Sequence, residues 1–333
     1  MSERLLGNGF TASAVSYGAM GLSEFYGTAP PDEISLTVLE NALNFGVTML
    51  DTADMYGFGH NENLIGRFLK NHKADLAAGR IKVATKFGIE RNERSYKRRI
   101  NNSPAYIRLA CENSLKRLGL ERIDLYYVHR VAEKVDIADT IGVLAELMRE
   151  GKIANLGLCE ISAQTLAQAH KVHPITAVQS EYSLWTRDVE ADILPLCSEL
   201  GIGFVAYSPL GRGFLSGRYE SVDKLDETDF RRSNPRFIGE NFQQNLRLLE
   251  KLKAMAQTKE CSPAQLALAW LLGKSETLVA IPGTRQVDRL KENSLAADIS
   301  LSSGESELLE DIFSPDKIQG QRYTQEGMKG IGA

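Results

Sequence analysis

Three apolar runs of this chain end on residues that can move protons. Asp51 follows VTML, Tyr56 lies five residues further on in DTADMYG, Lys86 ends VATK, and His129 ends LYYVH. A free phenol, with a pKa of about 10, is a poor proton donor near neutrality, but a neighbouring ammonium favours the phenolate and lowers that value. In this reading Lys86 tunes Tyr56, Asp51 holds Lys86 charged and oriented, and His129 adds an imidazole beside the phenol. Such a set suits protonation of a carbonyl oxygen while another reagent delivers hydride to carbon. Singly, each residue has a structural reading: a turn cap, a rim aromatic, a solvated strand end, a core histidine. Together they form a proton-transfer constellation.

Hydride needs a source. Two G-x-G-x-x-A matches, Gly7 to Ala12 and Gly201 to Ala206, fail the strand, glycine, helix order of a dinucleotide fingerprint. The better phosphate segment is SPLGRGFLSG, Ser208 to Gly217, directly after an apolar run, where glycines let backbone N–H groups approach a pyrophosphate. A second is IPGTRQVDRLKEN, in which Gly283, Thr284 and Arg285 precede a helix carrying Arg289. Helix N-termini bind anions, and an arginine pair there suits a 2′-phosphate; a plain βα turn with solvated arginines competes with this reading.

The elements that must position these residues alternate along the chain. Strands are expected at Val15 to Ala19, Val47 to Leu50, Ile81 to Thr85, Asp124 to Val128, Ile153 to Leu158, Ala177 to Ser180, Phe204 to Tyr207 and Leu278 to Ile281. Between them lie stretches of helical period, such as Asp32 to Phe45, with Ile34, Val38, Leu39, Ala42 and Phe45 on one side, and Pro104 to Leu118 behind a capping Ser103. Eight β-then-α units predict a (β/α)8 TIM barrel, with an open doubly wound sheet as the runner-up. The 333 residues are then one domain. Long βα loops are expected at 88–103 and 212–244, and a C-terminal tail after 302 that holds one short helix, Glu305 to Ile312.

Composition sets the outer limits. With 43% hydrophobic and 25% charged residues, disorder is a poor description, and a formal charge of −4 gives no global reason to expect nucleic acid. The basic run Tyr96 to Arg99, with Arg91 and Arg94, reads as a solvated face. Four scattered cysteines fit reduced, mostly buried thiols, and neither they nor the five histidines show metal-ligand spacing. No apolar stretch is long enough for a membrane span, and no secretory signal opens the chain, so the expected location is cytoplasmic.

Over nearly its whole length the sequence resembles the aldo-keto reductase family. The pieces that carry the likeness are DTADMYG with ENLIGRFLK, VATKFG, DLYYVHR, NLGLCEIS, AVQSEYSLW, VAYSPLGRGFLSG and AIPGTRQVDRLKEN, in order and spacing. GAMGLSEFYG, SPLGRGFL and PGTR are most similar to the branch of pyridoxal reductases and plant auxin-induced-protein-like reductases. The resemblance implies a catalytic tetrad of Asp51, Tyr56, Lys86 and His129, with Tyr56 as general acid and His129 orienting the carbonyl. It implies NADPH as cofactor: Tyr207 stacking on the nicotinamide, Gln179 on the carboxamide, and Gly18, Ala19 and Met20 against the cofactor. Ser208, Leu210, Gly211, Arg212 and Gly213 would wrap the pyrophosphate. Gly283, Thr284, Arg285, Arg289, Glu292 and Asn293 would serve the adenosine 2′-phosphate and adenine.

One position departs from the family pattern. Many members present Ser-Asn to the carboxamide, where this chain has Cys159 and Glu160. A thiol bonds more weakly than a hydroxyl, so cofactor affinity is expected to be lower. A redox-sensing role for Cys159 competes with a space-filling one. Phe25, Tyr26 and Trp185, with the 212–244 loop and the tail, are the expected substrate contacts, and an aromatic mouth suits planar aldehydes such as pyridoxal. The leading reading is an NADPH-dependent reductase of small-molecule aldehydes or ketones. A cofactor-binding regulatory subunit, as in potassium-channel β subunits, is the alternative, and a barrel isomerase with a phosphate pocket is a third reading that leaves the Tyr56 and Lys86 pairing unexplained.

Overall fold

A computed structural model describes residues 2–92, 95–133 and 135–332. Eight strands pair in parallel in chain order: β1 (Tyr17–Gly18), β2 (Met49–Asp51), β3 (Lys82–Phe87), β4 (Leu125–Val128), β5 (Leu156–Cys159), β6 (Ala177–Glu181), β7 (Gly203–Tyr207) and β8 (Leu278–Ala280). The ring closes just before β1. Val15 bridges Ala280 in parallel, Ser16 N–H donates to the Ala280 carbonyl at 2.8 Å, and Ala280 N–H donates to Ala14 at 2.9 Å. Closure excludes the open doubly wound sheet, which would leave two unpaired edges. The chain is a (β/α)8 TIM barrel.

The helices of eight residues or more are α1 (Asp32–Asn44), α2 (His60–Asn71), α3 (Pro104–Leu118), α4 (Ile137–Arg149), α5 (Ala163–Val172), α6 (Ile193–Leu200), α7 (Gly239–Thr258), α8 (Pro263–Leu272), α9 (Val287–Leu295) and α10 (Ser303–Ile312). On α1 an apolar stripe of Val38, Leu39 and Ala42 is buried. Ile34, assigned to that stripe from its spacing, is 50% exposed in the first turn. Ser103 stands at the N-cap of α3, but its side chain makes no capping hydrogen bond.

Successive strand residues alternate between the helices and the barrel interior. Met49, Ala84, Leu125, Tyr127, Cys159, Ala177, Val205 and Val279 fill that interior. The ring of Tyr127 fits there because Gly157 faces it; a Cβ on Gly157 would lie 2.2 Å from the ring. An antiparallel hairpin, Glu3–Leu5 with Thr11–Ser13, carries Leu6 and Phe10 into the amino end of the same cluster. That end is plugged, which leaves the carboxyl ends as the open mouth.

The insertions are more ordered than their composition suggests. The 88–103 stretch, expected as a loop, forms an antiparallel hairpin, Ile89–Asn92 with Ser95–Ile100. The 212–244 stretch runs through four short 3-10 turns, and α7 begins at Gly239, inside the expected loop. Its early turns read as polar because the buried position 245 is an asparagine, which donates to Arg236 at 3.2 Å and to Gln319 at 2.9 Å through their carbonyls. These bonds tie the tail to the insertion. Among the described residues no helix is long and apolar enough to cross a membrane. All four cysteines are free; Cys111, Cys159 and Cys197 are buried and Cys261 half-buried.

Candidate active site

The interior residues two positions beyond the core layer converge at the mouth. Met49 leads to Asp51, Ala84 to Lys86, Tyr127 to His129, Ala177 to Gln179 and Val205 to Tyr207. Lys86 Nζ donates to Asp51 Oδ1 at 2.5 Å, to the Thr52 carbonyl at 2.8 Å and to the Tyr56 hydroxyl at 3.4 Å. Gln179 Nε2 donates to the other Asp51 oxygen at 2.7 Å. The Tyr56 and His129 rings meet edge to face, 5.9 Å between centroids. The structure thus brings all four proton-transfer candidates together.

Burial changes the acid–base expectations. It pushes the Tyr56 phenol up to about 12, and the Lys86 charge offsets this without reversing it. The expectation that Lys86 leaves Tyr56 with a lowered pKa is therefore corrected: the phenol stays protonated. Burial opposes the Lys86 charge, but Asp51 and Tyr56 outweigh it and raise that ammonium. His129 is held well below its usual range, first by burial and then by Arg130, Lys86, Arg98 and Arg91. Among the described residues its buried Nδ1 has no partner. Burial pushes the Cys159 thiol up to about 12, which suppresses the thiolate a redox sensor needs.

The Tyr56 loop is fastened from two sides. Asn61, fully buried at the start of α2, donates to the Ala19 carbonyl at 2.9 Å and to Ser23 at 2.7 Å, and accepts from Thr52 at 2.6 Å. Arg91 donates to the Met55 carbonyl at 2.6 Å and to Glu24 at 2.7 Å, and its guanidinium lies 4.6 Å from the Phe58 ring centre and 5.4 Å from that of Phe25. The solvated-face reading of the basic run therefore fails at Arg91, and also at Arg98, which lines the mouth. Arg99 is exposed. Arg94 lies outside the described residues.

A groove of about 860 Å³ runs from Tyr56 and His129 past Tyr207 to Arg289. Gly18, Met20, Asp51, Cys159, Gln179, Tyr207, Ser208, Leu210, Arg212, Gly213, Gly283, Thr284, Arg285, Arg289, Glu292 and Asn293 line it, as do Phe25 and Tyr26. Ala19 and Gly211 do not; Ala19 is fully buried and Gly211 backs onto Trp185, whose ring would lie 2.6 Å from an added Cβ. Trp185, expected as a substrate contact, is fully buried and stacked on Phe214 at 3.9 Å. Its ring is core.

Several expected cofactor contacts have internal partners. Glu160 accepts from Arg322 at 2.6 Å and from Glu181 N–H at 2.9 Å, and does not line the groove. Arg212 forms a two-pronged ion pair with Glu181, at 2.6 and 3.0 Å. Arg285 donates to the carbonyls of Gly21 at 2.6 Å and Thr28 at 2.8 Å, tying the loop after β8 to the loop after β1. Glu292 pairs with Arg218 at 2.6 Å. The tail adds Tyr323, whose hydroxyl meets that of Tyr207 at 2.9 Å. Among the described residues no cluster of His, Cys, Asp and Glu could hold a metal ion. The groove does fit a dinucleotide, since it lies within the roughly 300–1,000 Å³ of ligand sites and joins an aromatic platform to cationic turns.

A model of the Aldo/keto reductase family matches residues 14–313. The chain belongs to the aldo/keto reductase family. Similar solved structures include the glycerol dehydrogenase AKR11B4 from Gluconobacter oxydans, 28% identical with a TM-score of 0.85 over 94% of this chain and 95% of that one. The aldo-keto reductase AKR11C1 from Bacillus halodurans, in its holo form, is 26% identical with a TM-score of 0.78 over 98% and 99% of the two chains. The thermostable aldo-keto reductase Tm1743 in complex with the inhibitor epalrestat is 28% identical, with a TM-score of 0.74 over 94% and 100%. Membership of this family of aldo/keto reductases makes the protein an oxidoreductase.

Proposed function

We propose that this aldo/keto reductase is an NADPH-dependent enzyme that reduces aldehydes or ketones to alcohols, its whole chain acting as one barrel domain. The observation that carries the reading is Lys86 Nζ, which contacts Asp51 and the Tyr56 hydroxyl at a mouth shared with His129. The nicotinamide cofactor supplies hydride when bound. Tyr56 keeps its proton at neutral pH because burial holds the phenol high. It gives that proton to a carbonyl oxygen as negative charge develops there, and Lys86, fixed by Asp51, stabilises the phenolate left behind. Neutral His129 supplies a second hydrogen bond and fixes the carbonyl's direction.

In the same reading Tyr207 is the platform for the nicotinamide ring and Gln179 faces its carboxamide, beside Cys159. The Ser208, Leu210 and Gly213 turn serves the pyrophosphate. Thr284, Arg289 and Asn293 serve the adenosine 2′-phosphate and favour NADPH over NADH. The phrasing of GAMGLSEFYG and SPLGRGFL supports a place near the pyridoxal reductase branch. The test follows reduced-nicotinamide absorbance as the protein meets a panel of aldehydes and ketones with NADPH or NADH. Carbonyl-dependent oxidation, faster with NADPH, is expected; no oxidation with any carbonyl would overturn the proposal.

A further inference from the structure

Positive charge is left over at the reacting end of the groove. Lys86 pairs with Asp51, Arg212 with Glu181, and Arg322 with Glu160 and Glu181. The tail carboxylate Glu326 also reaches the groove and pairs with Lys329. Arg98, from the hairpin after β3, and Arg130, directly after His129, line the same end of the groove. Among the described residues neither forms an ion pair with a carboxylate.

Arg130 is the more informative of the two. It is only 7% exposed, and its one side-chain hydrogen bond among the described residues goes to a neutral group, the His129 carbonyl at 2.7 Å. Its backbone is fixed by Asn102, which donates to the Arg130 carbonyl at 3.1 Å and accepts from Ala132 N–H at 2.7 Å. The Glu160 carboxylate, bonded to Arg322, favours the Arg130 charge from a distance. Among the described residues no anion touches the guanidinium, and a buried guanidinium is costly unless an anion answers it. The cofactor phosphates are poorly placed to do so. Their proposed turns follow β7 and β8, half-way round the eight-strand ring from the loops after β3 and β4 that carry Arg98 and Arg130. Tyr56 and His129 lie on the arginine side.

We infer that the substrate is an anionic carbonyl compound, whose carboxylate or phosphate group is held by Arg130 and Arg98 while its carbonyl oxygen faces Tyr56 and His129. The inference rests on the reductase reading and narrows its substrate class. Its chemistry is balanced: hydride from NADPH adds to carbon, the Tyr56 proton adds to oxygen, and the anionic group is retained in the alcohol. Planar guanidinium forks hold carboxylate and phosphate alike through two parallel hydrogen bonds.

The experiment compares kcat/KM within two matched pairs: succinic semialdehyde against its methyl ester, and glyceraldehyde phosphate against glyceraldehyde. The anionic member of at least one pair should win by roughly tenfold to hundredfold, the range for charged hydrogen bonds. Which pair shows the preference separates carboxylate from phosphate. Arg130→Met should shrink that ratio at least tenfold, and Arg98→Met, as a second variant on a different element, should shrink it too. Neutral members handled as well as anionic ones, or variants that lower both members equally, would overturn the inference and leave the reductase reading standing. Failure to reduce any of the four compounds, or any neutral carbonyl, would remove both.

Discussion

Replacing Lys86 by methionine keeps most of the length of the side chain and removes its charge. The side chains of Lys86 and Asp51 are 1% and 3% exposed, so water cannot take over the lost contact. Asp51 would keep Gln179 Nε2 at 2.7 Å as its side-chain donor and lose the ammonium at 2.5 Å. Removing one partner of a buried pair costs about 3–5 kcal/mol, because the other charge is left uncompensated. The pH dependence has a definite sign. An unpaired buried carboxyl has a folded pKa above its unfolded value of about 3.9, so folding takes up a proton. Stability is then lost as pH rises through the folded pKa, at up to about 1.4 kcal/mol per pH unit, and recovered towards acid. Urea unfolding with linear extrapolation at about pH 5 and about pH 8 measures both effects. The Lys86→Met penalty should be larger at the higher pH, and Asp51→Asn added to it should relieve part of the loss. A Lys86→Met protein within about 1 kcal/mol of the parent at both pH values, or a double variant less stable than the single, would refute the reasoning.

Three further outcomes follow from the same structure. Asn61→Ala removes both amide donors and the Thr52 acceptor, and should lower stability by roughly 1–3 kcal/mol for each buried group left unmatched, read by thermal or urea unfolding. Asp54 is pushed up to about 8, by burial first and then by Glu62, so parent stability should fall as pH rises from the carboxylate range to about 8. Asp54→Asn should flatten that slope in unfolding measured across pH; an unchanged slope would count against the burial argument. Trp185→Ala should cost about 3–5 kcal/mol in unfolding, the cost of emptying an aromatic core site. A substitution there that left stability unchanged and altered only KM would restore Trp185 to the substrate pocket.

The barrel was legible because each strand leaves two local signals, a short apolar run and a polar residue where that run meets the mouth. Asp51, Lys86 and His129 are such residues, and their common position two residues beyond the core layer follows from the strand period. Contacts distant in sequence left no comparable signal. Trp185 reads as a rim aromatic until Phe214, stacked on it at 3.9 Å, is known to cover it. Arg91 reads as solvated until Met55, Phe25 and Phe58 are brought around it. Tyr323 lies 116 residues from Tyr207, and no periodicity announces that their hydroxyls meet. For Tyr56 the residue types gave the sign of the Lys86 effect but not the larger effect of burial, which only the packed structure supplies. Arg130 sat in plain view in LYYVHR, yet a charge beside His129 gains meaning only once the nearby carboxylates Glu160 and Glu181 are seen to be paired with other arginines.

The central claim is that the Tyr56 hydroxyl delivers the proton to the carbonyl oxygen. Tyr56→Phe keeps the ring that meets His129 at 5.9 Å and removes only the oxygen that lies 3.4 Å from Lys86 Nζ. Carbonyl reduction in a single turnover should be measured for parent and variant with NADPH in excess, and with cofactor binding confirmed by fluorescence titration. The account predicts a loss of roughly a hundredfold to ten-thousandfold in the rate of that turnover. A variant that binds NADPH and reduces the carbonyl at the parent rate would contradict it.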